Sequence, residues 1–188
     1  MKRVLIGGIL GGLTFFFWTW ISHTVLPIGV MGISSLPNEQ ALLEPMKQQL
    51  REAGFYFFPG MDMSRKLSDE EMKAWEEKHR TGPAGILVYQ PQGGESMSPK
   101  RLITQALTDL ISGLIIAIVI SFVAASYGMR VFLVTLMGLF SWIAIELPYW
   151  NWYCFPGAFV IGGGIDQVAG WFIAGLVLSA FVRSKREG

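Results

Sequence analysis

Charge, cysteine and histidine are all scarce in this chain. Charged residues make up 15% of its 188 positions, against about 25% in an ordinary soluble domain. The two signs nearly cancel, leaving a formal net charge of +1, so there is no basic surface of the kind that holds nucleic acid. Cys154 is the only cysteine, which excludes an internal disulfide. It suits a small interfacial apolar residue, with an intermolecular bridge as the lesser alternative. His23 and His79 are the only histidines, and both fall outside the long apolar runs, so no bis-imidazole haem is expected there. No Walker loop, dinucleotide fingerprint, G-x-S-x-G elbow or H-E-x-x-H helix occurs. The nine methionines are scattered through apolar runs, which suits core filling better than metal capture. The sequence therefore predicts no cofactor, no metal and no catalytic residue.

What the chain does have is apolar residues in long blocks. A helix needs about 20 mostly apolar residues to cross a hydrocarbon core of about 30 Å. Four blocks, 4–22, 102–126, 131–149 and 157–182, meet that length. The expected fold is an all-α membrane protein with four transmembrane helices at 1–22, 99–126, 131–149 and 156–182. A small α/β domain, 23–98, is inserted between the first two, and a tail, 183–188, follows the last. The first block also has the basic start of a signal peptide, Lys2 and Arg3. A cleaved signal ends in small residues, whereas Trp18 and Trp20 end this run and the first alanine is Ala41. An uncleaved anchor is the expectation.

Orientation follows the Lys and Arg of the short segments. Lys2 and Arg3, then Arg130 in a tight turn between the second and third spans, then Arg183, Lys185 and Arg186 all fall on one side. The turn at 149–156 on the other side has no basic residue. Both termini are expected in the cytoplasm of a bacterial cell, with 23–98 outside the cytoplasmic membrane. Trp18, Trp20, Tyr149, Trp150, Trp152 and Tyr153 then fall at the outer interface, where a ring with one polar edge is well placed. A platform for a sugar or lipid headgroup is the alternative use of such rings.

The inserted domain reads as α-β-α-β. Leu43, Met46, Leu50 and Ala53 recur at helical spacing, and Pro45 suits a first helical position, so this helix is expected to begin near Glu44. Phe55–Phe58 and Ile86–Tyr89 have strand composition. Ser68 with Glu71 three residues on is a capping box, and Ser98 before Pro99 starts the second span. Two strands leave free edges that something must cover.

The spans carry three acids, Asp109, Glu146 and Asp166, with no Lys or Arg at membrane depth to pair with them; Lys100 and Arg101 reach only the interface end. An ionised acid at a bilayer centre costs about 2.5–3.5 kcal/mol on insertion scales. Asp109 follows Pro99 by ten residues and Asp166 follows Pro156 by ten, or about 15 Å of helix. Similar text continues beyond each aspartate, and Gly11 and Thr14 align with Gly138 and Ser141. A duplicated helical hairpin is inferred, set against chance similarity in a small apolar alphabet. Each aspartate lies on an i+4 stripe of small residues. One is Gln105, Asp109, Gly113, Ala117, Ser121 and Ala125; the other is Ala158, Gly162, Asp166, Gly170 and Ala174. Such stripes let helix backbones approach in lipid, and Gly7, Gly8, Gly11 and Gly12 offer the same on the first span.

Three uses of the acids compete. They are neutral, hydrogen-bonded packing groups; or a proton or cation site; or they take a basic partner, either a helix or a charged ligand. The expected function is a non-enzymatic accessory or assembly subunit, with a protein partner in the bilayer or a homo-oligomer. A small oligomeric transporter or proton or cation conductor using the carboxylates is the alternative, and an enzyme acting on a lipid comes third. A reporter fused to the C-terminus is predicted to be cytoplasmic, and one placed between Asn38 and Ser98 external; protection of that segment from protease in intact cells reverses the topology.

Overall fold

A computed structural model describes residues 1–182; Arg183, Lys185 and Arg186, on which part of the orientation argument rests, lie outside the described residues. The order is α1 (Lys2–Thr24), a 3-10 turn (Ile28–Val30), α2 (Glu39–Gln49), β1 (Gly54–Phe58), α3 (Asp69–Thr81), β2 (Gly85–Tyr89), α4 (Pro99–Ser121), α5 (Tyr127–Tyr153) and α6 (Gly157–Phe181). Helices α1, α4, α5 and α6 are long and apolar enough to cross a membrane. The chain divides into a helical unit, Met1–Ile33 with the chain from Ser96 onward, and a second unit, Ser34–Glu95.

In the helical unit α1 packs between α4 and α6, α5 packs on α6, and α4 and α5 make little contact. The helices thus run in a row, α4-α1-α6-α5, and the glycines of α1 explain why. Residues four apart share a helix face, and neighbours in sequence are turned by about 100°. A Cβ on Gly7 would meet Val182, the residue that follows α6, and one on Gly11 would meet Leu178 of α6, whereas one on Gly8 or Gly12 would meet Leu114 or the Asp109–Leu110 backbone of α4. Two glycine pairs side by side let α1 take a close neighbour on each flank. Gly113 completes the α4 contact, because its own Cβ would fall on the backbone of Gly8 and Gly12. Past this seam lies an apolar core that includes Phe15, Ile120, Val134, Trp171, Leu178 and Val182, with Phe15 and Trp171 stacked at 4.3 Å.

Several boundaries differ from the sequence reading. The second span stops at Ser121 rather than 126, because Ser126 caps the next helix by accepting from the Met129 amide. That helix begins at Tyr127, so Arg130 is in its first turn, buried, donating to the Ala125 carbonyl at 2.5 Å. It also continues through Pro148 to Tyr153, although a proline there gives up the bond to the Ala144 carbonyl and crowds that carbonyl with its ring. Left-handed Cys154 (φ 57°) and then Pro156 end it. Residues 23–33 belong with the helices rather than with the inserted domain, because the 3-10 turn packs on α1 and α6.

The unit Ser34–Glu95 carries the two expected strands, and they pair across α3, β1 antiparallel to β2, with Phe55 opposite Val88 and Phe57 opposite Ile86. The capping box is present: Ser68 Oγ accepts from the Glu71 amide and Glu71 accepts from the Ser68 amide. Arg65 forks onto the Glu71 carboxylate, and these donors hold its pKa down at about 2. Trp75 donates to the Pro59 carbonyl at 2.9 Å, tying α3 to the end of β1. Helix α2 corrects the sequence reading: it starts after Asn38 and keeps Pro45 in its interior, giving up the bond to Ala41.

Gly113→Ala should lower the melting temperature of the detergent-purified protein, by the equivalent of about 1–3 kcal/mol for overpacking. Gly128→Ala, where a Cβ meets nothing within 4 Å, is the control and should not. Equal behaviour of the two variants would refute the close seam.

Candidate functional site: a carboxylate-lined cavity

All four long helices and the 3-10 turn line one cavity of about 750 Å³, into which Asp109, Glu146 and Asp166 all come. No Lys or Arg is among its lining residues. The three acids are held differently. Asp166, buried in α6, accepts from Ser22 Oγ on one oxygen and pairs with His23 Nε2 at 3.1 Å on the other. Asp109, buried in α4, accepts from Gln105 Nε2 at 2.9 Å on Oδ1, while its Oδ2 is buried without a partner. Glu146 of α5 is seated against the Cα of Gly163, where any side chain would collide with its carboxylate, and its Oε2 is buried without a partner.

The acids are also at different depths. The backbone at Asp109 lies on Gly12 of α1, whereas Asp166 is held by Ser22 of the same helix. Those ten residues amount to about 15 Å along the axis. The like proline spacing of Asp109 and Asp166 therefore does not place them at one level along α1. Helix α6 starts beyond the end of α1, where Gly162 meets the Ile28 carbonyl, while the Asp109 end of α4 packs halfway down α1. Asp166 and Glu146 stand at the α1 C-terminal end of the cavity, and Asp109 at its deep end, where the apolar core begins.

The glycine run in α6 is what admits these neighbours. Around successive 100° steps Gly162 faces the 3-10 turn and Met31, Gly163 faces Glu146, and Gly164 faces the Trp142 ring. Trp142 Nε1 donates to the Val160 carbonyl at 2.8 Å, and Ser141 Oγ is 3.0 Å from Gln167 Oε1, so α5 is pinned to α6 where Glu146 is presented. Gly170 accepts the edges of Phe15 and Trp18.

Of the predicted interface aromatics, Trp20, Tyr149, Trp150, Trp152 and Tyr153 are exposed. Trp18 is not among them: two residues from Trp20 is about 200° of helix, which turns it onto Gly170 with its Nε1 buried. Sequence reasoning missed Ser22, His23, Gln167 and Gly163. The available signal was polar residues inside or at the end of an apolar run, Ser22 and His23 in the first and Gln167 beside Asp166 in the last.

The arrangement suits binding better than nucleophilic catalysis. Ser22 and His23 bond to opposite oxygens of Asp166, whereas an activated serine needs the imidazole between itself and the acid. Among the described residues no three His, Cys, Asp or Glu side chains can hold one metal ion together. What remains is a set of acceptors facing a shared space.

The fold defines a multi-pass membrane protein with four candidate spans. No protein-family model, no curated protein and no solved structure matches the chain.

Gly163→Ala is expected to push Glu146 out of its seat. Carbodiimide labelling followed by mass spectrometry should then rise at Glu146, while Gly157→Ala, placed in open space, leaves it unchanged. Unaltered labelling in Gly163→Ala would mean that Glu146 does not rest on this glycine.

Proposed function

We propose that this chain is a small membrane protein that receives a positively charged group in the cavity between its helices and works as a transporter or a cation-conducting unit. The observation that carries this reading is the convergence of three carboxylates on one space that no Lys or Arg lines, with an oxygen of Asp109 and one of Glu146 buried and unpartnered. A buried ionised carboxylate without a donor is costly, and a cation entering the cavity offsets that cost at both places. The apolar core beyond Asp109 suits a site reached from one end at a time, as alternating access requires.

The same reading takes the Ser34–Glu95 unit and the Asp166 end of the cavity as external and both termini as cytoplasmic, in a bacterial cytoplasmic membrane. It also takes the two hairpins as duplicated, with Asp109 and Asp166 as equivalent positions that diverged in depth. An accessory or assembly subunit is the second reading, with a basic residue of a partner helix reaching the acids. It is favoured by the separation of α4 from α5 and by α5 having only 17% of its span buried, against 44% for α6.

Reconstituted in liposomes, the wild-type chain should move protons or organic cations down a gradient. Asp109→Asn and Asp166→Asn should fold yet lose at least tenfold in rate, since an amide neither titrates nor attracts a cation. Full flux in the double Asn variant, or no flux with a stoichiometric foreign chain retained through purification, would overturn transport, the latter in favour of the assembly reading.

A further inference from the structure

We infer that the cavity is shaped for an extended organic polycation, a linear polyamine or long diamine with an ammonium group at each end. The inference rests on the cation reading above and adds the span of the ligand. Two carboxylate oxygens lack a donor, Oδ2 of Asp109 and Oε2 of Glu146; both residues line the cavity, and Asp109 is only 5% exposed. They stand at opposite ends. Asp109 is level with Gly12, while Glu146 rests on Gly163, one turn beyond the Asp166 that Ser22 holds. Asp166 is about 15 Å from Asp109 along α1 and the Glu146 seat one turn further, about 20 Å in all, a span which no compact cation bridges.

Volume and wall chemistry agree with a chain. About 750 Å³ is within the range of roughly 300–1,000 Å³ found for organic ligands and far exceeds a bare ion. Phe16 and Trp20 line the stretch between the acids, and aromatic faces attract ammonium groups while accepting methylenes. Asp166, already engaged on both oxygens, adds negative charge at the mouth without claiming an end of the ligand. Each terminal ammonium sits about 3 Å from its carboxylate oxygen, and an extended chain advances about 3.3–3.6 Å per three bonds, so roughly a dozen bonds between terminal nitrogens fit.

The test is calorimetric binding to the full chain in nanodiscs at constant ionic strength, with four amines: butylamine, putrescine, spermine and the branched tetraamine tris(aminopropyl)amine. The branched compound matches the nitrogens of spermine in a shorter reach, so it separates span from charge. Spermine should bind at least tenfold more tightly than the branched tetraamine and than putrescine. Asp109→Asn should bring spermine down to the putrescine level while putrescine, held at the mouth, changes less than twofold. Equal affinity of the two tetraamines in the wild-type chain overturns the span, and that arm needs no variant. So does a spermine advantage that survives Asp109→Asn. Binding of butylamine as tight as that of spermine leaves the cation site standing without its length; no binding of any amine removes the organic-cation site together with this inference.

Discussion

The backbones of α1 and α4 approach until Gly8, Gly12 and Gly113 lie against one another, and on the next face of α1 Gly7 and Gly11 admit Val182 and Leu178. In a bilayer, where lipid is as apolar as the side chains, close packing of this kind is a main source of helix association. Here it also acts as a ruler. It fixes Asp109 beside Gly12 and Asp166 beside Ser22, and so decides that the acids form a ladder rather than a ring. Because both close neighbours of α1 are spoken for by these glycines, α5 is left to pack on α6 alone, and the helices do not close into a symmetrical bundle.

The cavity follows from that arrangement. A closed bundle would bring α4 and α5 together and bury the acids against side chains. With α4 and α5 apart, the acids face a shared space instead. Hydrogen bonds then sort them. Asp166 has a donor on each oxygen, Asp109 on only one, and Glu146 keeps an oxygen buried with none. An unfilled acceptor is expensive in a medium of low dielectric, so the imbalance between the acids marks where a ligand's positive charge has most to offer.

The spans, the two strands and the caps were legible because each depends on local pattern: apolar length for the helices, aromatic strand composition for Phe55–Phe58, the Ser68–Glu71 spacing for α3. The candidate acids were legible for the same reason, as rare letters in apolar runs. What was not legible depends on how helices slide past one another. Asp109 and Asp166 share a proline spacing, but register is set by which glycine meets which backbone, and nothing in the spacing states that. His23 falls just outside an apolar run, yet the overhang of α6 brings Asp166 to it. That Gly162, Gly163 and Gly164 face a carbonyl, a carboxylate and an indole in turn needed the neighbours.

The central claim is that an acid-lined space runs down to Asp109 inside the helical unit. Cysteine accessibility measures it most directly. In membranes carrying Ser112→Cys on a Cys154→Ser background, a positively charged thiosulfonate should react at least tenfold faster than a negatively charged one of similar size, because the carboxylates concentrate cations in the cavity. Ile111→Cys, one residue away on the exposed face of α4, should react with neither. Equal rates for the two reagents at position 112, or no reaction there at all, would contradict the account.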